Sequence, residues 1–241
     1  MIRHLLQLIW NQRKQNAWLW AELLLVSVFL WFLVDYLYVM GRTYTAPLGF
    51  DIRHTYSIVI SSLSERSPDY IPKEKRERPD GVHLLTALDR IRTYPGVESA
   101  CLTDGGMPYY MGSRNLVWRI DTLQVPCRYA FVTPEFFDVF RIYDKDGKTA
   151  SLKRAIEDNN SIVISADVET MNPGLSLLGQ KAYRGNVTDE IEETIRGISV
   201  PIRRHEYTKA EPNVYRALRL SRMEEGYYEG MIDAVRLCVR V

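Results

Sequence analysis

The sequence predicts an α+β domain carried behind one N-terminal membrane-spanning helix. Three observations lead there: one long apolar run from Ala17 to Met40, a remainder of ordinary soluble composition, and strand-like text that outnumbers helical text in that remainder. A ~30 Å hydrocarbon core takes roughly 20 helical residues, and no other stretch of the chain approaches that length of apolar text. Roughly 190 residues follow the run and its flanks, enough for one large domain or two small subdomains with a real core.

The elements follow in order. In segment 1–16, Ile2, Leu5, Leu6, Ile9 and Trp10 recur at helical spacing, predicting an amphipathic helix on the cytoplasmic membrane surface. Arg3, Arg13 and Lys14 precede the run without an acidic residue, which places the N-terminus inside and residues 41–241 outside. A cleaved signal would have an apolar core of ~7–15 residues and a small-residue cleavage site. The run here is longer, carries Trp18, Trp20, Trp31, Tyr36 and Tyr38, and ends in Val39-Met40-Gly41-Arg42, so residues 17–40 are read as a retained anchor.

Glu22 and Asp35 are the ionisable residues of the run, and an intramembrane carboxylate is a candidate functional group. They lie near opposite ends, and their separation turns ~220° on a helix, so they share no face. Interfacial carboxylates or contacts to other helices account for them better than an ion pathway.

Beyond the run, Tyr56 to Ser61 reads as a strand by its β-branched content, and Ser64 to Arg78, with Pro68, Pro72 and a charged run, as a solvated loop. Asp80 is expected to cap a helix bearing Val82, Leu84, Leu85, Leu88 and Ile91, stopped by Pro95-Gly96. Val97 to Thr103 completes a strand, helix, strand unit. Asn115 to Asp121 and Val125 to Val132 alternate as a hairpin joined by Thr122-Leu123-Gln124. Thr133 is expected to cap a short helix opened by Pro134. Ser161 to Ser165 is a further strand, Ala166 to Leu178 holds a short helix broken at Pro173-Gly174, and Thr194–Val200, Arg203–Tyr207, Tyr215–Ser221 and Ala234–Val241 read as strands.

The formal net charge is +1, from 31 basic and 30 acidic side chains, which offers no field for nucleic acid. Cys101, Cys127 and Cys238 sit in apolar strand-like text and are expected to be buried thiols, with one pairing left open; nothing has metal-ligand spacing. No phosphate-binding Gly-x-x-x-x-Gly-Lys-Ser/Thr loop, Gly-x-Ser-x-Gly elbow or His-Glu-x-x-His pattern occurs, so no catalytic centre, cofactor or metal is expected. Arg203-Arg204-His205-Glu206 reads as a charged strand face, Asp104-Gly105-Gly106 as a plain loop, and Phe136, Phe137 and Phe140 as core rather than a docking surface.

The order of short motifs is recognisable. Pro47-Leu48-Gly49-Phe50-Asp51 follows the run. Then come Tyr94-Pro95-Gly96-Val97-Glu98, Pro108, Val132-Thr133-Pro134-Glu135-Phe136-Phe137-Asp138-Val139-Phe140, Ile162-Val163-Ile164-Ser165 and Leu178-Gly179-Gln180. Together they resemble the periplasmic core domain of MacB-like, FtsX-type ABC transporter permeases. The resemblance implies two subdomains, one of strand-helix-strand units (44–103 and 191–241) and an inserted, mostly β one (104–190). It also implies an inner-membrane location, a periplasmic domain, a cytoplasmic ATP-binding subunit, a homodimer or paired permease, and a periplasmic adaptor or envelope protein as partners. Such permeases have four spans, and the second is expected where this chain stops at Val241, so the resemblance implies an incomplete permease or a truncated relative.

The function expected is therefore non-enzymatic: a permease component whose periplasmic domain transmits ATPase-driven motion for export or for control of an envelope partner. Glu22 and Asp35 in the span and Pro47, Gly49 and Phe50 at the junction are its candidate residues. The second reading is a membrane-tethered periplasmic binding or sensor module that needs no ATPase; an anchored enzyme is third, for want of a catalytic constellation.

Overall fold

The computed structural model describes residues 2–11, 14, 17–61, 63–72, 75–110, 112, 114–185, 190–226 and 232–241. The chain forms two compact units, Met1–Ala46 and Pro47–Val241. In the first, α1 covers Ile2–Asn11, where the helical periodicity placed it; of its expected apolar stripe Trp10 is exposed, and the side chains of Ile2, Leu5, Leu6 and Ile9 lie outside the described residues. Helix α2 runs Ala17–Thr45, five residues past the expected Met40, and none of its residues is buried. It is long and apolar enough to cross a membrane. Its last turn closes with the Thr45 hydroxyl donating to the Gly41 carbonyl at 3.0 Å.

The second unit mixes helices with nine strands in one sheet. Strand β1 (Thr55–Ile58) and β2 (Ser99–Asp104) flank the C-terminal β9 (Val235–Arg240), each antiparallel to it, and α3 (Asp80–Arg92) crosses between them. The strand, helix, strand unit is thus present, split by a strand from the far end of the chain. Leu84 and Leu88 of α3 are buried against Ala100, Leu102, Leu237 and Val239. Each such side chain removed from water contributes about 1.5–3 kcal/mol.

Strands β3 (Asn115–Ile120), β4 (Leu123–Val132), β5 (Ser161–Ser165), β6 (Lys181–Arg184), β7 (Ile191–Ser199) and β8 (Asn213–Ala217) pair in the order β4-β3-β6-β7-β5-β8, and β8 returns to β4. The result is a closed ring, which removes free edges. Trp118, Cys127, Ile162, Ala182, Ile195 and Val214, one from each strand, are buried in a single cluster, as inward positions of a small barrel are. The expected boundary at 190/191 falls between β6 and β7, which are antiparallel neighbours inside this ring. The ring joins the β1-β9-β2 layer through two residue pairs between β2 and β4, Thr103 with Val132 and Asp104 with Phe131.

A third cluster fills the space between layer and ring. Helix α4 (Phe136–Val139) places Phe136 and Phe137 against Tyr215, and Phe140 just after it against Phe136, with Cys101, Val132, Val163 and Cys238 around them. All three phenylalanines are buried, so they form core and not a docking surface.

Several local expectations are corrected. Asp80 is the first residue of α3 rather than its cap; Pro79 holds that position, and the Asp80 carboxylate pairs with Arg76 at 2.7 Å. Thr133 does not cap α4: its hydroxyl accepts from the Leu102 amide at 3.1 Å and so fastens β2. The hairpin turns at Asp121-Thr122, because Ile120 pairs directly with Leu123 and Asp121 takes φ +53°. Strand β1 stops at Ile58, on the sheet edge where one neighbour alone holds it. Arg203–Tyr207 is a folded-back loop, since the Arg203 guanidinium donates to the carbonyls of Thr208 (2.7 Å) and Glu206. After β8 the chain enters α7 (Leu220–Glu224), whose Met223 backbone packs against Gly81. Helices α5 (Ala150–Ala155) and α6 (Asp167–Met171) complete the domain; α6 matches expectation, whereas α5, α7 and β6 were not foreseen.

Candidate functional site

Pro47 opens the second unit shortly after the apolar helix in sequence, so the segment Pro47–Arg53 is where the chain enters the domain. The backbone of residues 47–54 is held at three points. The Arg203 amide donates to the Leu48 carbonyl at 3.0 Å, the Asp51 amide donates to the Phe140 carbonyl at 2.8 Å, and the Val241 amide donates to the His54 carbonyl at 3.0 Å. The partners come from the loop after β7, from the end of α4 and from Val241, the residue after β9.

Gly49 is required by this docking. Its φ is +84°, a left-handed conformation that side-chain-bearing residues avoid, and a Cβ there would lie 2.1 Å from the Pro201 carbonyl oxygen. Phe50 then turns inward, half-buried against the aromatic cluster of α4, with its ring edge-on to Tyr109 at 5.8 Å between centroids. The Tyr109 hydroxyl in turn donates to the Glu206 carboxylate. Pro47 itself is exposed.

Arg240, in the last turn of strand pairing, fastens the same segment from below. Its side chain is buried, and its guanidinium donates to the carbonyls of Val139 (2.6 Å), Arg53 (2.8 Å) and Asp51 (2.5 Å). A planar cation with several fixed donors suits this task, because each carbonyl receives a charge-assisted bond without backbone rearrangement. The Asp51 carboxylate faces the other way and pairs with Arg53 at 2.9 Å, with Arg141 further off at 3.7 Å. The Arg53 hydrogen bond, opposed by partial burial and helped by the Arg53 and Arg240 charges, holds the Asp51 carboxyl down at about 2.

The structure thus brings Gly49 and Phe50 together with Arg203, Phe140 and Arg240, while Pro47 stands at the rim. Glu22 and Asp35 remain apart from one another on α2, both exposed. Arg240 and Arg203 were not singled out from sequence. An arginine between Val239 and Val241 in a mostly apolar strand was the available signal for Arg240; nothing in the charged text around Arg203 distinguished it from a surface run.

The remaining charged motifs have partners within the domain. The Asp104 carboxylate accepts from Arg114 at 2.6 Å, and His205 Nδ1 accepts from the Tyr207 amide at 3.2 Å. The charged run 73–78 lies partly outside the described residues. All three cysteines are buried thiols, and Cys101 lies directly opposite Cys238 across β2 and β9.

No family model and no curated protein sequence matches the chain. In structure it is similar to domains of three bacterial proteins. One is a domain described as belonging to a permease of Porphyromonas gingivalis, at 19% identity and a TM-score of 0.46, covering 65% of this chain and 60% of that one. Another is the extracellular domain of the noncanonical ABC-type transporter YknZ from Gram-positive bacteria, at 11% identity and a TM-score of 0.45, covering 78% of this chain and 83% of that one. A third is the periplasmic region of MacB from Actinobacillus actinomycetemcomitans, at 10% identity and a TM-score of 0.44, covering 79% of this chain and 78% of that one. The chain spans 60% of the length of the Porphyromonas gingivalis domain.

Proposed function

We propose that the chain is a non-enzymatic permease component of an ABC transporter of the MacB/FtsX type, anchored in the inner membrane by α2 with the domain 47–241 in the periplasm. In this reading a cytoplasmic ATP-binding subunit drives the membrane helices, and the displacement reaches the domain through Pro47–Arg53. The domain passes it to a second permease copy, or to a periplasmic adaptor or envelope protein. The ordered motifs from Pro47 to Gln180 support the family assignment. The observation that carries the mechanical part is the build of the entry segment. A flexible tether needs no Arg240 fastening three carbonyls and no glycine so close to Pro201 that a Cβ would overlap its carbonyl. A segment so held moves the sheet when it is pulled.

The test is purification of the tagged protein from its native membrane. The expected result is an ATP-binding subunit at stoichiometric yield, and a transport or envelope phenotype that disappears when the phosphate-loop lysine of that subunit is replaced. A protein that purifies without an ATPase, and whose phenotype survives loss of every candidate ATPase, would replace this reading with the tethered binding or sensor module.

A further inference from the structure

A cleft of about 420 Å³ lies where the ring meets the layer, between β2, β4, β7, β8 and α7. Five arginines line it, Arg114, Arg184, Arg216, Arg219 and Arg222, against two carboxylates, Asp104 and Glu193. The described lining is therefore strongly cationic in a chain whose net charge is only +1.

The arrangement is built rather than scattered. Glu193 is buried at 2% exposure, and its Oε1 takes both Arg216, through Nε at 2.7 Å, and Arg184, at 3.4 Å. Its other oxygen, Oε2, has no hydrogen-bond partner, and neither has the buried Nε of Arg184. Arg216 is stacked over the Phe131 ring at 5.0 Å, which fixes the plane of its guanidinium. Arg114 is held by Asp104, whose carboxyl burial pushes above its ordinary value. The Arg219 side chain has no hydrogen bond or ion pair among the described residues; its backbone carbonyl accepts from the Arg222 amide at 3.2 Å. A guanidinium has five N–H donors, so Glu193 and Asp104 orient these groups while leaving most of their donors unused.

We infer that this cleft is a binding site for a phosphomonoester dianion, held by the forks of Arg114, Arg216 and Arg219. Planar guanidinium forks match phosphate oxygens in pairs, and low exposure favours a doubly charged ligand that offsets the excess of cations. The ester could be a soluble metabolite or a lipid headgroup, since both present the same phosphoryl oxygens. The inference goes beyond the permease reading and does not depend on it.

The test uses the full chain in nonionic detergent, titrated calorimetrically with inorganic phosphate and with glycerol phosphate. In parallel, the chain is mixed with phosphatidylcholine vesicles with and without phosphatidic acid. Saturable one-site binding is expected, weakened about tenfold or more by Arg219→Gln, because a charge-assisted hydrogen bond is lost. Arg196→Gln, on an exposed arginine outside the cleft, leaves binding unchanged. Binding of the soluble phosphates identifies a free ester, and binding confined to phosphatidic acid vesicles identifies a headgroup; either supports the site when Arg219→Gln weakens it. Absence of saturable binding in every arm, or equal weakening by Arg219→Gln and Arg196→Gln, overturns it. The Arg219 side chain contributes no internal bond among the described residues and the substitution leaves its backbone bond to Arg222 in place, so the variant is expected to keep the wild-type melting temperature, which separates lost binding from lost fold.

Discussion

Replacing Gly49 by alanine probes the entry segment with a single carbon atom. At φ +84° an alanine carries a backbone penalty of about 1–2 kcal/mol. The new Cβ would stand 2.1 Å from the Pro201 carbonyl oxygen, 3.1 Å from its carbon and 3.2 Å from the Ile202 Cα, all of them backbone atoms that cannot rotate aside. Relief requires the segment to lift by roughly an ångström, since carbon contacts settle near 3.5–4.0 Å. That movement breaks the Arg203 amide bond to Leu48, worth about 1 kcal/mol, and loosens Phe50 from the α4 cluster. The sum is about 3 kcal/mol, equivalent to a fall in Tm of roughly 6–12 °C for a domain of this size. Differential scanning calorimetry of the full chain in detergent measures it. A Gly49→Ala protein melting within about a degree of wild type would refute the idea that this glycine is held against Pro201, because even the backbone term alone exceeds that shift.

Other consequences follow from the same geometry. Arg240→Lys keeps the charge but cannot reach the carbonyls of Val139, Arg53 and Asp51 together; denaturant unfolding should show a loss of about 2–3 kcal/mol, and more for Arg240→Met. Asp51 titrates at about 2 in the folded domain, below its unfolded range, so its contribution to stability is complete above that range and is lost as pH falls through about 2. Asp51→Asn should therefore narrow its stability deficit against wild type as the buffer is acidified from pH 5 toward pH 2, read by parallel melts. Burial pushes the Cys127 thiol up to about 12 and raises Cys101 as well, so none of the three buried cysteines should react with a maleimide at pH 8 until denaturant is added.

Much of the secondary structure could be read from period and punctuation. Leu84, Leu88 and the apolar run 17–40 announced their helices, and Ser161 to Ser165 its strand, because local spacing alone decides such elements. The misses share a cause in contacts distant in sequence. Arg203–Tyr207 has strand-like text, but an arginine binding two carbonyls within its own loop outweighs that propensity. The ring closure between β4 and β8 joins residues about eighty positions apart, and no local pattern encodes a parallel pairing of that kind. At the entry segment, Gly49 and Phe50 were visible as a motif after the apolar helix. Their reason was not, since it resides in Pro201, Phe140 and Arg240, which only the fold brings to them.

The account rests on the entry segment being part of the folded domain rather than a linker, and hydrogen exchange of the Asp51 and Arg203 amides tests that most directly. Both donate to carbonyls across the junction, Asp51 to Phe140 and Arg203 to Leu48. In the full chain in detergent they should exchange as slowly as the core amides of β9, opening only with global unfolding. Exchange at the rate of an exposed loop, with β9 still protected, would show a flexible tether and contradict the transmission of movement through Pro47–Arg53.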